Sequence, residues 1–358
     1  MRLLYLSVHA PLEFDELSIL RDEGFDVFSP GSEPAPVGPD GGDATLLLRP
    51  PVAGLSHDLD TVRAWREICL ADSSVDPKLR IPAAFLRRFD AVVVMHEPSI
   101  LEGLLASGIQ GAAAGGSGPR ILWRSIGQST PRVERRISVA RDRGVEVVRY
   151  SPAERNIPDF AGEDWLVRFA KDADAYGGWT GEERHVITCG QRVRERQRHC
   201  HYDRIEAVTR GFDRRLVGPG NRDVPWSVGA LPFDEQRRAL RRARVYLHTG
   251  TLPASYTLGF LEAWMTGIPV VSIGPRLGGP DWGPRVFEVS DLIESGVDGF
   301  WSDDVEELRG FVARLLADLD LAREIGRRGR EKAAGLFGRT SVAREWRRML
   351  HREPVPGV

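Results

Sequence analysis

The sequence predicts an α/β protein built from two doubly wound parallel sheets. Short apolar runs, typical of buried parallel strands, alternate with helical segments along most of the chain. The alternation is interrupted once, at the glycine-rich segment 176–181, and then resumes. A chain of 358 residues also exceeds the size at which a single core usually keeps growing, so two domains are expected.

In the first half, the continuous apolar run 91–95 is the clearest buried strand, and Gly24 and Gly144 suit the ends of helices. Segments 29–43 and 110–119 are rich in small and turn-forming residues and are predicted to be loops. The predicted strands are 2–8, 25–28, 91–95, 121–124 and 145–149, and the predicted helices are 12–23, 61–70, 132–143 and one ending near Lys171.

The second half repeats the pattern. Its predicted strands are 185–189, 214–217, 245–247 and 270–273, and its predicted helices are 202–211, 233–242, 258–265, 308–316, 320–336 and 341–351. We therefore expect an N-terminal domain over residues 1–178 and a second domain over residues 179–338. The final helix, within 339–358, could cross back to the first domain.

Composition narrows the class of protein. A hydrophobic content of 42% and a charged content of 28% are ordinary for a soluble globular chain. The net charge of −2 argues against a protein that coats nucleic acid. Three scattered cysteines do not make a disulfide framework, and neither a signal segment nor a membrane-spanning apolar run is visible. These features predict a cytoplasmic protein.

The most informative stretch is 245–274, which predicts strand, loop, helix, tight turn and strand. Leu258, Leu261 and Met265 form the apolar stripe of the helix, and Gly267 suits its left-handed cap. A helix that begins at the carboxyl end of a parallel strand offers free N–H groups and a positive dipole end to an anion. The stretch is therefore a candidate site for a phosphorylated ligand.

Several segments of the second half match the pattern of one enzyme family. Phe260-Leu-Glu-Ala-Trp-Met-Thr-Gly-Ile-Pro-Val-Val271 is similar to a Leu-Glu-Ala-Met-Ala-x-Gly-x-Pro-Val-Val motif. Segments 216–220, 292–301 and 303–337 match the turns and closing helices that accompany this motif. Over residues 185–340 the chain thus resembles nucleotide-sugar glycosyltransferases of the GT-B fold, specifically the retaining glycosyltransferase family 4.

The resemblance implies two Rossmann-like domains that face each other across a cleft. The C-terminal domain would bind a nucleoside diphosphate sugar as co-substrate, and the N-terminal domain would bind the acceptor. Neither a metal nor another cofactor is implied, because helix termini and cationic side chains balance the diphosphate charge.

The resemblance also implies roles for donor-site residues. Glu262 matches the second glutamate of the family's Glu-x7-Glu motif, which accepts hydrogen bonds from the ribose hydroxyls. The first glutamate, which contacts the donor sugar, is replaced by Ala254. The backbone N–H groups expected to meet the diphosphate are those of Ser255, Tyr256, Thr257 and Leu258.

The segment after the first strand of the second domain supplies cations. Aligning Gly190 with the family's glycine places Gln191 where the family has an arginine and Arg196 where it has a lysine. Arg192 is one residue away and is a substitute for the missing arginine. The alternative interpretations are a solvated basic helix start and a nucleic-acid patch.

Two histidines are candidate catalytic residues in the first half. His96 follows the strand 91–95, where the family has a histidine close to the reacting sugar. His9 follows the first strand, where other GT-B enzymes place a basic histidine for inverting chemistry. Either could instead be an ordinary polar residue at a strand end.

Two other clusters receive weaker interpretations. His199-Cys-His201 suggests a metal site, but neighbouring residues do not converge easily on one tetrahedral ion, so no metal site is expected. A basic helix could be a solvated face, or it could bind an anionic acceptor or a membrane surface. Its cationic residues are Arg132, Arg135, Arg136 and Arg143.

The sequence thus predicts a glycosyltransferase, with two alternatives kept open. One is a nucleotide-sugar epimerase of the same fold, and the other is a catalytically silent scaffold that binds sugar nucleotides, suggested by Ala254 and Gln191. The donor sugar, its base, the stereochemical outcome and the oligomeric state are not determined. The acceptor is open among a glycan, a lipid, a protein, a small molecule and a modified nucleobase.

Overall fold

The structure is a computed structural model, and it describes residues 1–31, 58–72, 74–109 and 118–353. The predicted loops 29–43 and 110–119 lie mostly outside these residues. The chain divides into two compact units. The described part of the first unit comprises residues 1–31, 58–72, 74–109, 118–168 and 343–353, and the second unit contains residues 169–342.

The described residues of the first unit form a six-stranded parallel sheet in the order β2-β1-β3-β4-β5-β6. Its strands are β1 (Arg2–Leu6), β2 (Asp26–Phe28), β3 (Ala91–Met95), β4 (Arg120–Arg124), β5 (Val145–Arg149) and β6 (Trp165–Leu166). The longer helices around it are α1 (Ala10–Asp22), α2 (Leu59–Ala71), α3 (Pro98–Ala106) and α4 (Pro131–Arg141).

The second unit contains another six-stranded parallel sheet, in the order β12-β11-β10-β7-β8-β9. Its strands are β7 (Glu183–Cys189), β8 (Arg214–Val217), β9 (Ser227–Gly229), β10 (Ala243–His248), β11 (Val270–Ile273) and β12 (Phe300–Ser302). The longer helices after β7 in the chain are α5 (Tyr202–Thr209), α6 (Phe233–Arg242), α7 (Leu258–Thr266), α8 (Val305–Ala317), α9 (Leu319–Phe337) and α10 (Arg339–His351). The residues of α10 from 343 onward belong to the first unit. The two parallel sheets with flanking helices confirm the predicted fold class.

Each sheet has one point at which the strand order reverses. In the first sheet β1 lies between β2 and β3, and in the second β7 lies between β8 and β10. Connections leave on opposite faces on the two sides of such a point, which opens a crevice beside the carboxyl ends of the strands. The segments after β1 and β3, and those after β7 and β10, are therefore placed to bind ligands.

The core of the first unit contains buried ion pairs as well as apolar side chains. Arg124 pairs with Glu16 at 2.8 Å, and Arg149 pairs with Glu134 at 2.7 Å, with all four side chains almost completely buried. Arg120 contacts Glu146 and also donates to two carbonyl oxygens at the end of α10, each at 2.9 Å. The last bonds satisfy carbonyls that have no partner within the helix.

One predicted element is wrong. The segment before Lys171 is not a helix: Trp165–Leu166 pairs with β5 as the edge strand β6, and Lys171 forms an isolated bridge with Gly338. The Trp165 indole also donates to Glu146 at 3.0 Å, which fixes the segment against the sheet. Tertiary contacts of this kind override local helix propensity.

Two helices of the second unit approach at backbone distance. Gly267 ends α7 in the left-handed conformation, with φ of 87°, as its sequence position predicts. A Cβ atom on Gly326, in α9, would lie 2.0 Å from the Gly267 carbonyl oxygen. The packing of α9 on the end of α7 therefore requires the absence of a side chain at Gly326.

Gly326→Ala should lower the free energy of unfolding by about 2 kcal/mol, because the added methyl group forces two backbones apart. Gly335→Ala is the matched control in the same helix, since nothing lies within 4 Å of a Cβ there. That control should raise stability by about 0.5–1 kcal/mol. Thermal unfolding followed by circular dichroism measures both, and equal effects of the two substitutions would contradict the packing.

Candidate active site

Two loops meet at the reversal point of the second sheet. One follows β7 and contains Gly190 to Arg196, and the other follows β10 and leads into α7. The Leu252 N–H donates to the His199 carbonyl at 2.8 Å, and the Thr249 hydroxyl donates to the Cys200 carbonyl at 3.1 Å. The predicted donor-binding residues, distant in sequence, are thus gathered at one edge of the sheet.

The β7 loop begins with a turn that places its polar side chains outward. Gln191 is half-buried, and Arg192 is exposed with an unusual φ of 45°. The Arg192 guanidinium lies 3.5 Å from Glu195, and both side chains are more than half exposed. An exposed pair at this distance holds the cation weakly, so Arg192 remains available to another anion.

Arg196 differs from its neighbours in the same loop. It is half-buried and stands immediately before the short helix Gln197–Cys200. Within the described part of the chain, no carboxylate forms an ion pair with its guanidinium. A partly desolvated cation that lacks a counter-ion attracts anions more strongly than a fully solvated one does.

The β10 loop ends at the N-terminus of α7. The Thr257 hydroxyl accepts a hydrogen bond from the Phe260 N–H at 3.3 Å, and Leu258 is the first helical residue. The Ser255 side chain is buried, and the Tyr256 ring packs edge-on between two other aromatic rings in the core. Of the four predicted diphosphate contacts, Thr257 and Leu258 are partly exposed, and Ser255 and Tyr256 are not.

Glu262 lies one turn farther along α7, and its carboxylate is almost completely buried. One oxygen accepts a hydrogen bond from the Lys171 ammonium at 2.8 Å, and the other accepts one from the Gln236 amide at 3.0 Å. Lys171 is only 2% exposed, and its ammonium lies 5.9 Å from the centre of the Tyr176 ring. The predicted ribose ligand is therefore also the counter-ion of a buried lysine.

Sequence reasoning missed both partners of Glu262. Lys171 is 91 positions away in the chain, and no local pattern connects the two residues. The one available signal was compositional, because lysine is rare in this arginine-rich chain.

Glu262→Ala should destabilise the protein by about 3–5 kcal/mol, since it removes a carboxylate that is hydrogen-bonded to the buried Lys171 ammonium. The double variant Lys171→Met with Glu262→Gln removes the charge from both positions and should recover most of that loss. Thermal unfolding of the two variants makes the comparison. Equal destabilisation of the single and double variants would show that pairing of the two charges does not determine the stability of this site.

The two candidate histidines lie beside the reversal point of the first sheet. His9 follows β1 and begins α1, where its Nδ1 accepts from the Leu12 N–H at 3.3 Å. His96 follows β3 and has a φ of 59°. Its backbone N–H donates to the Arg124 carbonyl at 2.8 Å, and its carbonyl accepts from the Trp123 indole at 2.7 Å.

The His96 side chain is neutral at ordinary pH. Burial lowers its pKa to about 4, although nearby Glu97 and Glu134 act in the opposite direction. Its Nδ1 atom is buried and has no hydrogen-bond partner among the described residues. A neutral imidazole can donate a hydrogen bond to a ligand or accept one from it, but it does not supply positive charge.

A buried carboxyl group near the same sheet edge was not predicted. Glu154, in the one-turn helix Pro152–Asn156 after β5, accepts a hydrogen bond from the Ser125 hydroxyl at 2.6 Å. Burial raises its pKa to about 7, while the charge of Arg149 acts against the shift. Glutamate in an irregular segment gives no sequence signal for such burial.

The structure also describes the histidine and cysteine cluster near residue 200 and the basic helix α4. Within the described residues, no group of three histidine, cysteine or acidic side chains is placed to hold a metal ion. In the basic helix α4, Arg135 pairs with Asp159 and Arg136 pairs with Glu102. Much of the positive charge on α4 is therefore balanced within the protein. No helix among the described residues combines the length and apolar character needed to cross a bilayer.

The chain is similar to known proteins in sequence pattern over part of its length and in fold over nearly all of it. The family model described as glycosyl transferase-like matches residues 194–347. Sucrose-phosphate synthase from Thermosynechococcus elongatus has a similar structure, with a TM-score of 0.65 and 13% identity over 98% of each chain. HepE from Anabaena in complex with UDP-glucose gives a TM-score of 0.65 and 14% identity over 98% of this chain and 100% of HepE. A glycosyltransferase from Rickettsia africae gives 0.62 and 12% over 99% of each chain.

The chain has the GT-B fold, and its residues 194–347 match the glycosyl transferase-like family model. At these low identities the structural likeness shows the fold, and the family model supplies the class of enzyme. Together they indicate a glycosyltransferase. A comparison with curated protein sequences finds no match to this chain.

The contribution of His96 to stability should fall as the pH is lowered from about 6.5 to about 4, because the unfolded state protonates His96 at its ordinary pKa and the folded state does so only near 4. This contribution is fully present above the window and amounts to about 3 kcal/mol. Urea unfolding of the unaltered chain and of His96→Gln across the window tests this. The stability of the unaltered chain relative to the variant should fall as the pH is lowered, and parallel curves would refute the shift.

Proposed function

We propose that the chain transfers a sugar from a nucleoside diphosphate sugar, held at the carboxyl edge of the second sheet, to an acceptor bound by the first unit. The observation that carries this proposal is the half-buried Arg196, a cation without an ion-pair partner among the described residues. The short helix that follows Arg196 is hydrogen-bonded to the loop that leads into the N-terminus of α7. A guanidinium and free helix N–H groups at one sheet edge suit a diphosphate.

The proposed chemistry uses these charges to stabilise the leaving group. When the bond from the sugar to the diphosphate breaks, negative charge accumulates on the departing oxygen. Arg196, with Arg192 beside it, and the N–H groups at Thr257 and Leu258 are the groups that would balance this charge. Because arginine stays protonated at any physiological pH, this balance needs no metal ion and no cofactor.

The donor proposal has a first candidate. Structures similar to this chain are those of HepE with UDP and with UDP-glucose. We therefore place UDP-sugars first among the donors to be tested, followed by GDP-, ADP- and dTDP-sugars. The cytoplasmic location and membership of family 4 belong to the same proposal.

Retention of configuration is also part of the proposal, and it rests on the resemblance of 260–271 to the retaining family. Ala254 provides no carboxylate where that family contacts the donor sugar. The resemblance suggests His96 as a contact of the reacting sugar. Its neutral ring suits hydrogen bonding to a hydroxyl group better than strong base catalysis.

The ribose role of Glu262 is compatible with its internal bonds. Each carboxylate oxygen can accept more than one hydrogen bond, so a ribose hydroxyl can donate to Glu262 in addition to its internal partners, which include Lys171 and Gln236. Because loss of Glu262 alone would destabilise the chain, the ribose role is best examined in a Lys171→Met background. There, Glu262→Ala should weaken binding of a nucleoside diphosphate beyond the effect of Lys171→Met.

The deciding experiment is release of nucleoside diphosphate from a panel of nucleotide sugars, with and without a chelator. Slow release of free diphosphate supports a transferase, whereas interconverted nucleotide sugar would support the epimerase. Binding without any turnover across the panel would leave the silent scaffold. Activity lost with the chelator would overturn metal independence.

Arg196→Gln should weaken diphosphate binding about 10- to 100-fold, the range expected for a lost hydrogen bond to a charged group. Arg198→Gln is the matched control, because it removes the same charge two residues farther on, from an exposed position. That control should change affinity by less than about twofold. Titration calorimetry with UDP measures the affinity of both variants. Equal losses of affinity would show that UDP binds to a diffuse basic patch and not to a specific site at Arg196.

A further inference from the structure

The turn after β8 is joined to the loop after β7. The strands pair in register, with Cys189 opposite Val217. Beyond their ends, the Gly190 N–H donates to the Val217 carbonyl at 2.9 Å, and the Arg192 N–H donates to the Pro219 carbonyl at 3.0 Å. The backbone that carries Arg192 is therefore held by the neighbouring turn.

Glycines make this close approach possible. A Cβ atom on Gly218, which has a φ of 141°, would lie 2.1 Å from the Gly190 carbonyl oxygen. A Cβ atom on Gly220, with a φ of 71°, would lie 2.3 Å from the Arg192 Cγ atom. A side chain at Gly218 would force the two segments apart, and one at Gly220 would displace the Arg192 side chain.

Asn221 lies at the centre of this junction and is 1% exposed. Its amide nitrogen donates to the Gly190 carbonyl at 2.7 Å and to the Gly218 carbonyl at 3.0 Å. Its amide oxygen accepts from the Val193 N–H at 2.9 Å. Both amide hydrogens and the oxygen are thus used, and all three partners are backbone groups of the two turns.

We propose that Asn221 is a positioning residue that sets the phosphate-binding loop by fixing the backbone on both sides of Arg192. The inference rests on the proposed function, because it assigns the loop to the diphosphate. Arg192 has a left-handed φ of 45°, which is unfavourable for a side chain of this size and persists only where its surroundings impose it. Asn221 supplies that constraint through Gly190 before Arg192 and Val193 after it.

The constraint extends to Arg196. The Arg196 N–H donates to the Arg192 carbonyl at 2.8 Å, so the orientation of the peptide after Arg192 determines where the next turn begins. Asn221 is too deeply buried to take part in binding itself. It acts by reducing the conformational freedom that the loop would lose when a diphosphate binds.

The test is a double-mutant cycle on affinity for UDP, measured by titration calorimetry. Asn221→Ala should weaken binding about tenfold, as expected when buried hydrogen bonds that order a site are lost. In a background that carries both Arg192→Gln and Arg196→Gln the same change should cost less than about twofold, because the loop then presents neither cation to the diphosphate. Additive losses, or unchanged affinity, would overturn the proposal.

Controls separate positioning from a general loss of stability. Asn156→Ala removes another side-chain bond to backbone, from Asn156 to the Ala153 carbonyl in the first unit, and should leave UDP affinity unchanged. Asn221→Asp keeps an acceptor for the Val193 N–H but lacks donors for the two glycine carbonyls, so it should weaken binding as well. Retained affinity in Asn221→Asp would contradict the assigned role.

Hydrogen–deuterium exchange on the ligand-free chain provides a readout that does not depend on the donor. Asn221→Ala should increase exchange in residues 190–196 and leave β10 and α7 unchanged. Unaltered exchange in 190–196 would overturn the positioning role whatever the enzyme binds. Increased exchange in a chain whose unaltered form binds no nucleoside diphosphate would instead overturn the proposed function, and the phosphate role of this loop with it.

Discussion

Parallel strand pairing is the constraint on which the rest of the structure depends. Every strand pair described in the two sheets is parallel, so within each sheet all carboxyl ends lie at the same edge. A parallel connection must cross over the sheet, and the crossovers change face where the strand order reverses. This geometry alone brings the loop after β7 beside the loop after β10, although some fifty residues separate them in the chain.

Buried charge is the second organising feature. Arg124 and Arg149 are the last residues of β4 and β5, and Lys171 lies within the second unit, each with a glutamate within hydrogen-bond distance. Such pairs seldom add net stability, because removing two charges from water costs about as much as their attraction returns. Their effect is selective: packings that separate the partners are strongly disfavoured. The Arg149 guanidinium also lies 4.5 Å from the centre of the Phe160 ring.

The candidate donor site differs from that of the resembled family in its charged groups. Ala254 and Gln191 lack the charged groups that the resembled family carries at these positions. Arg192 and Arg196 provide cations at the same edge, and the buried Asn221 holds their backbone. In the proposed function, these cations bind the diphosphate, and recognition of the sugar depends on residues outside the family's motif.

The sequence by itself determined the fold class and the placement of the donor loops. Continuous apolar runs such as 91–95 and 270–273 became the central strands, and Gly267 became the left-handed cap, because these signals are local. Glu262 and Arg196 were found in the same way, through motif spacing. Local patterns wrongly predicted a helix before Lys171. They also did not predict the short edge strands β6 and β9. In such short segments pairing with a neighbouring strand decides the conformation.

Only the tertiary structure decided which partners the site residues have. Lys171 and Glu262 are 91 positions apart, and Asn221 and Gly190 are 31 positions apart. Neither contact can be recognised from hydrophobic periodicity or from a helix-capping pattern. The same holds for Arg124 and Arg149, whose sequence suggests solvent and whose environment is the core. Local conformation depends on neighbours in the chain, whereas burial and pairing depend on what the fold brings together. For that reason the location of the candidate site was predicted and its supporting contacts were not.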